Sequence, residues 1–261
     1  MINPLPNQLP WPPKASTRTA VGPFFGATSS YAISHLARKY EGLILVITED
    51  SLAAQTLERE LAFFNRTANI DILTFPDWET LPYDNFSPHQ DIVSERLQTL
   101  FHLPQTLQGV LITPISTLMH RLPPVDFVTG SSLVLDVGQQ LNVLNFRTQL
   151  ETNGYHCVET VMERGEFAVR GSIFDIYPMG ADHPYRIDLM DDEVDSLRTF
   201  DPETQRTVEQ VDNIRLLPAR EFALHKRAIE QFKQGWHGAF DVDHKACPTY
   251  TEVAAGRIPN G

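Results

Sequence analysis

The stretch Gly42-Leu43-Ile44-Leu45-Val46-Ile47, running on through Thr48-Glu49-Asp50-Ser51-Leu52, is the one from which the fold is read. An apolar run of strand length that opens on a glycine and ends at a capping pair describes a buried strand leading into a helix. Upstream, Ile33, Leu36, Ala37 and Tyr40 recur at helical spacing, and Gly42 stops that helix. Downstream, Asp50 or Ser51 caps a helix that places Leu52, Leu57, Leu61 and Phe64 near one face, and a strand follows over residues 70–75. Strand, helix and strand in this order predict a parallel sheet. A third unit consists of a strand over 109–113 and a helix over 115–122, closed by Pro123-Pro124. Between the second and third units, residues 75–89 form a proline-punctuated loop bearing Trp78 and Tyr83, followed by a helix over 91–103.

Outside this block the pattern changes. The prolines at 4, 6, 10, 12 and 13 remove donors and fix φ, so the start of the chain reads as an irregular arm. Beyond residue 131 come short alternating strands near 132–137, 155–162, 165–170, 173–177, 185–190 and 194–200, with one helix over 145–153 that Gly154 terminates. This is an α+β pattern. From Ile214 the chain turns apolar and then helical over about 221–236, and its last residues show no closing element. The division expected is 1–131, 132–213 and 214–261, with the last segment the start of a domain cut from something longer.

With 261 residues, 42% hydrophobic and 21% charged, the body of the chain is globular. A net charge of −12 disfavours a surface that mainly grips phosphate backbones, although a local basic patch remains compatible with it. Cys157 and Cys247 stand far apart in no metal-ligand spacing and read as free thiols. No apolar run nears the roughly 20 residues that span a bilayer, and the first residues lack a signal peptide's charged start and apolar centre. A cytoplasmic protein without a membrane contact is expected.

Gly22-Pro23-Phe24-Phe25-Gly26-Ala27-Thr28-Ser29-Ser30 lies where a nucleotide-binding β/α domain would carry its phosphate loop. Such a loop needs glycines for close backbone approach, a lysine on the outer phosphates and a hydroxyl on Mg²⁺ directly after it. Here Thr28 replaces the second glycine and Ser29 stands in the lysine's place, leaving only a hydroxyl at Ser30, and no lysine occurs between Lys39 and Lys226. The plainer reading is a turn at Gly26 into a helix capped by Thr28 or Ser29. Neither an HExxH spacing nor a G-x-S-x-G elbow is present, so no catalytic residue is assigned. Asp191-Asp192-Glu193 with Asp195 lacks calcium-loop spacing and fits a hairpin turn, and no metal or cofactor is expected.

In Glu166-Phe167-Ala168-Val169-Arg170, strand alternation turns Glu166, Ala168 and Arg170 away from Phe167 and Val169. In Tyr185-Arg186-Ile187-Asp188-Leu189-Met190 it presents Arg186, Asp188 and Met190 together. Arginine beside an adaptable apolar side chain is typical of interface centres. The same spacing also describes a solvated strand face with a cross-strand ion pair.

Several segments carry a family resemblance: Asp77-Trp78-Glu79-Thr80-Leu81-Pro82-Tyr83-Asp84, Phe86-Ser87-Pro88-His89-Gln90-Asp91-Ile92, Val169-Arg170-Gly171, Tyr177-Pro178-Met179-Gly180, Pro184-Tyr185-Arg186-Ile187-Asp188 and Asp191-Asp192-Glu193-Val194-Asp195-Ser196-Leu197-Arg198. Together they resemble the N-terminal region of the bacterial transcription-repair coupling factors (Mfd), itself similar to the excision-repair helicase UvrB. The resemblance implies an α/β fold: a degenerate P-loop, RecA-like domain 1a, an inserted α+β UvrB-like domain 2 that binds UvrA, and the start of domain 1b. It implies recruiting arginines at Arg170 and Arg186, with Asp188 beside them and Met190 where the family often has phenylalanine. It implies a nucleotide site at Gly26, Ser29 and Ser30 that no longer works. It also implies a role in nucleotide excision repair without ATP hydrolysis by this chain. The family's contacts with RNA polymerase and DNA lie in regions this chain lacks, and its C-terminal domain covers the UvrA-facing surface in the intact protein. The competing expectations are an ATP-dependent helicase or damage-binding fragment of UvrB type, and DNA binding through the aromatic loop near Trp78 and Tyr83, where bases could stack.

Overall fold

A computed structural model describes residues 18, 20–67, 70–81, 84 and 86–258. The proline-rich start, Pro82 and Tyr83 lie outside the described residues. The chain forms two compact units, one made of the residues up to Asp77 with His102–Arg121, the other of Trp78–Phe101 with the residues from Leu122 onward.

The first unit contains α1 (Thr28–Ala37), β1 (Leu43–Thr48), α2 (Ser51–Phe64), β2 (Asp71–Thr74) and β3 (Gly109–Pro114). Its strands form the expected parallel sheet, in the order β1-β3-β2, with Leu45 and Leu73 flanking Leu111. Asp50 is the cap of α2, its carboxylate accepting from the Ala53 amide at 2.7 Å. Ala37, Leu57, Leu61, Val110 and Ile112 form the core, with Ile44 and Val46 packed against them.

Three local expectations fail here. Leu45 and Ile47 are half exposed, so β1 is an edge strand packed on one face and not a strand buried on both. Leu52 is exposed, because five residues from Leu57 carry it about 140° round a helix of 3.6 residues per turn. The helix expected over 115–122 is only a 3₁₀ turn, Thr117–Met119. Ile115, Leu118 and Met119 are exposed, so no buried apolar face offsets the cost of nucleating a helix.

The second unit contains α3 (Gln90–His102), α4 (Val125–Gly130), β4 (Leu133–Asp136), α5 (Val143–Thr152), β5 (His156–Cys157), β6 (Glu166–Arg170), β7 (Ile173–Ile176), β8 (Tyr185–Met190), β9 (Glu193–Phe200), β10 (Thr207–Val211), β11 (Asn213–Leu216), α6 (Lys226–Ala239) and α7 (Pro248–Ala254). Strands β10-β9-β8-β7-β6-β5 form one sheet, antiparallel except for the β5–β6 pair, while β11 pairs with β4. Alternation sends Phe167, Phe174, Ile176, Ile187, Leu189 and Leu197 to one side of the large sheet, and a register shift at Asp195 in β9 brings Val194 to the same side. They join Phe146 and Leu150 of α5 and Val93, Leu97 and Phe101 of α3, and the Phe167 and Phe174 rings stack at 5.5 Å.

Asn142 caps α5 two residues before the expected start, and Gly154 ends it at φ 97° as expected. The strand expected over 155–162 shortens to β5, because the chain then leaves the ladder and the amides of Met162 and Glu163 both donate to the Glu166 carboxylate at 2.8 Å. β10 escapes a pattern reading because almost all of it is exposed. Helix α6 starts five residues later than expected, with the His225 ring accepting from the Ala228 amide. Helix α7, for which there was no expectation, precedes the final residues, and its Tyr250 is buried. No helix among the described residues is long and apolar enough to cross a membrane.

Candidate protein-docking face

The far side of the large sheet, away from the α3 and α5 packing, carries both arginine strands. Strand β7 lies between β6 and β8, and the pairing register aligns Ala168, Asp175, Arg186 and Arg198 across four adjacent strands. On β7, Phe174 and Ile176 face the core, so Asp175 faces the arginines. Asp175 is only 1% exposed. Its Oδ1 accepts from Arg186 Nε at 2.7 Å, and its Oδ2 accepts from Arg186 Nη2 at 2.9 Å and from Arg170 Nη2 at 2.5 Å. A bidentate, charge-assisted arginine pair of this kind is the strong form of the interaction.

Arg186 is fixed on two further sides. Its guanidinium lies over the Phe200 ring, 4.9 Å from the centroid, and Nη1 donates to the Gln205 carbonyl at 3.2 Å. The hydrogen bond to Asp175 raises its pKa above the ordinary arginine value, so it is held fully charged. Ala168, expected on the open face, is buried in a small cluster with Val161, Tyr177 and Phe200, because that end of the sheet is roofed by the chain at Val161.

The four residues expected at the site therefore divide. Arg170 and Arg186 meet on one carboxylate. Asp188 belongs to a neighbouring pair: it accepts from Ser196 Oγ at 3.0 Å and from Arg198 Nη2. Met190 stands apart at the end of β8, 66% exposed. Asp175 and Arg198 are the members that sequence reasoning missed. A lone carboxylate inside the apolar strand Ile173-Phe174-Asp175-Ile176 was the available signal for the first. Arg170 and Arg186 thus share the single charge of Asp175, while Arg198 pairs with Asp188.

The other sequence-marked places are engaged elsewhere. At Gly26 (φ 55°) the chain turns into α1, whose N-cap is Ala27 with no side-chain cap, so neither Thr28 nor Ser29 caps it. Instead the Thr28 hydroxyl donates back to the Phe25 carbonyl at 2.7 Å. Ser29 is partly exposed, whereas Ser30 is buried and donates to the Glu60 carboxylate of α2. Trp78 has its ring under Arg96, 4.8 Å from the guanidinium, and its indole N–H donates to Glu221 at 3.0 Å. Arg96 in turn pairs with Glu221 at 2.6 and 3.0 Å. One face of the Trp78 ring is thus covered by Arg96 and its N–H is spent on Glu221. Asp191 and Asp192 form the β8–β9 turn, and among the described residues no three His, Cys, Asp or Glu side chains converge on a metal position.

Comparison with known proteins places these features. A family model described as the UvrB interaction domain matches residues 133–222, which contain the whole arginine face. The chain is 44% identical over 250 residues to the transcription-repair-coupling factor of Escherichia coli (strain K12), an alignment covering 96% of this chain and 22% of that protein. It is 40% identical over 255 residues to that of Haemophilus influenzae, covering 96% of this chain and 22% of the relative. The corresponding protein of Rickettsia prowazekii is 32% identical over 237 residues, covering 89% and 21%. The chain thus spans about a fifth of the length of these relatives.

Proposed function

We propose that this chain, which belongs to the transcription-repair-coupling-factor family and carries a UvrB interaction domain over residues 133–222, is a docking module that recruits UvrA in transcription-coupled nucleotide excision repair. The observation that carries the reading is the pair of arginines sharing one buried carboxylate. Arg186 is spent on Asp175, Phe200 and Gln205, while Arg170 keeps a half-exposed guanidinium. Met190 adds an apolar side chain farther along the same face. A cationic edge beside an adaptable apolar group suits a protein surface bearing a carboxylate.

The first unit is a degenerate, RecA-like scaffold without ATP hydrolysis of its own. Three features support this: serine in the lysine's place at Ser29, the Ser30 hydroxyl committed to Glu60, and the Thr28 hydroxyl committed to Phe25. Contacts with RNA polymerase and DNA belong to the parts of the longer relatives that this chain does not cover. The deciding experiment is co-purification with UvrA. Wild type is expected to retain UvrA, and an Arg170→Ala, Arg186→Ala double variant with an unchanged circular dichroism spectrum is expected to lose it. Equal retention by both would overturn the reading.

A further inference from the structure

We infer that Asp175 is a positioning residue of the docking face, one that touches no partner and sets the conformation in which Arg170 is presented. The inference rests on the UvrA-docking reading for its functional half only. Asp175 does not need Arg170 for its own burial. Arg186 already satisfies it through a bidentate pair to both oxygens, at 2.7 and 2.9 Å. The third bond, from Arg170 Nη2 to Oδ2, is therefore surplus to neutralising the carboxylate, and its consequence falls on Arg170.

That side chain springs from β6, paired to Ile173, and must lean along the sheet surface to reach Asp175 on β7. Among the described residues Asp175 is its only partner, so one Nη of the fork is anchored while the side chain stays 49% exposed. An unanchored arginine would lose its rotamer freedom on docking; one already held loses less. With a neutral group at 175, Arg170 and Arg186 would face each other as like charges and Arg170 would swing into solvent.

The test uses the whole chain and the near-isosteric Asp175→Asn. Binding to UvrA is expected to weaken about tenfold, the upper end of what one freed, rotamer-rich side chain costs in affinity. In the Arg170→Ala background, which keeps measurable binding, the same change is expected to have no further effect. A variant that binds like wild type overturns the inference, and so does an equal loss in both backgrounds, which would mark Asp175 as a residue of the fold alone. Should Asp175→Asn not fold, ¹⁵N side-chain NMR of the wild type decides. The Arg170 guanidinium is expected to rotate slowly about Nε–Cζ, on the same scale as that of the doubly bonded Arg186. Rotation as free as that of the exposed Arg227 overturns the positioning role. That spectrum needs no UvrA, so it still reads if the docking proposal itself fails.

Discussion

Arg170 and Arg186 grip the same carboxylate from opposite sides of β7, yet the side chain of Arg170 is 49% exposed and that of Arg186 only 17%. The asymmetry separates their roles. Arg186→Ala removes the bidentate half of a buried pair and uncovers Phe200, and is expected to lower stability by about 2–4 kcal/mol in urea denaturation. Arg170→Ala breaks a partly exposed pair and is expected to cost less than about 1 kcal/mol. UvrA affinity should fall for both, so a large stability loss from Arg170→Ala would contradict the assignment.

Arg96 and Glu221 form a second buried pair, with Arg96 fully buried and Trp78 stacked on it. Glu221→Gln takes the negative charge out of this buried pair and is expected to cost about 3–5 kcal/mol in urea denaturation. Trp78 loses the carboxylate its N–H donates to, so its fluorescence emission should shift in the folded state as well.

Tyr155 donates to the Leu217 carbonyl at 2.7 Å and accepts from the Met179 amide, and burial pushes its hydroxyl well above the ordinary value of 10.0. The folded state therefore holds this proton to higher pH than the unfolded chain. Its contribution is complete below pH 10 and is lost as pH rises beyond it, at up to about 1.4 kcal/mol per pH unit. Partial burial raises Tyr177 and Tyr185 in the same direction. Tyr155→Phe is expected to cost about 1–2 kcal/mol at neutral pH and to flatten the alkaline decline, measured by urea denaturation from pH 8 to 11.

Restoring the missing lysine should not restore a nucleotide site. In Ser29→Lys the Ser30 hydroxyl still faces Glu60 and the Thr28 hydroxyl still returns to Phe25. Calorimetric titration of this variant with Mg²⁺-ATP is expected to show no binding. Clear binding would mean that the lysine alone was lacking.

Much of the fold was open to reading from local pattern. Strand β8 stands at its expected limits, the βαβ order predicted the parallel sheet, and Asp50 caps α2 as its position before an amphipathic run required. The departures at β1 and β10 have one origin. An apolar run such as residues 43–47 does not say whether one face or two will be covered, and the exposed β10 has no pattern to betray it.

For the candidate docking face, the sequence by itself determined that Arg186, Asp188 and Met190 share one side of a strand and that Arg170 faces outward from another, because alternation is a local property of the extended backbone. Only the tertiary structure decided that β7 runs between those strands and that its register sets Asp175 opposite Arg186, within reach of Arg170. It likewise joined Trp78 to Glu221 across 143 residues of chain. Register and strand order depend on how distant apolar faces pack together, and no window of neighbouring residues contains that information.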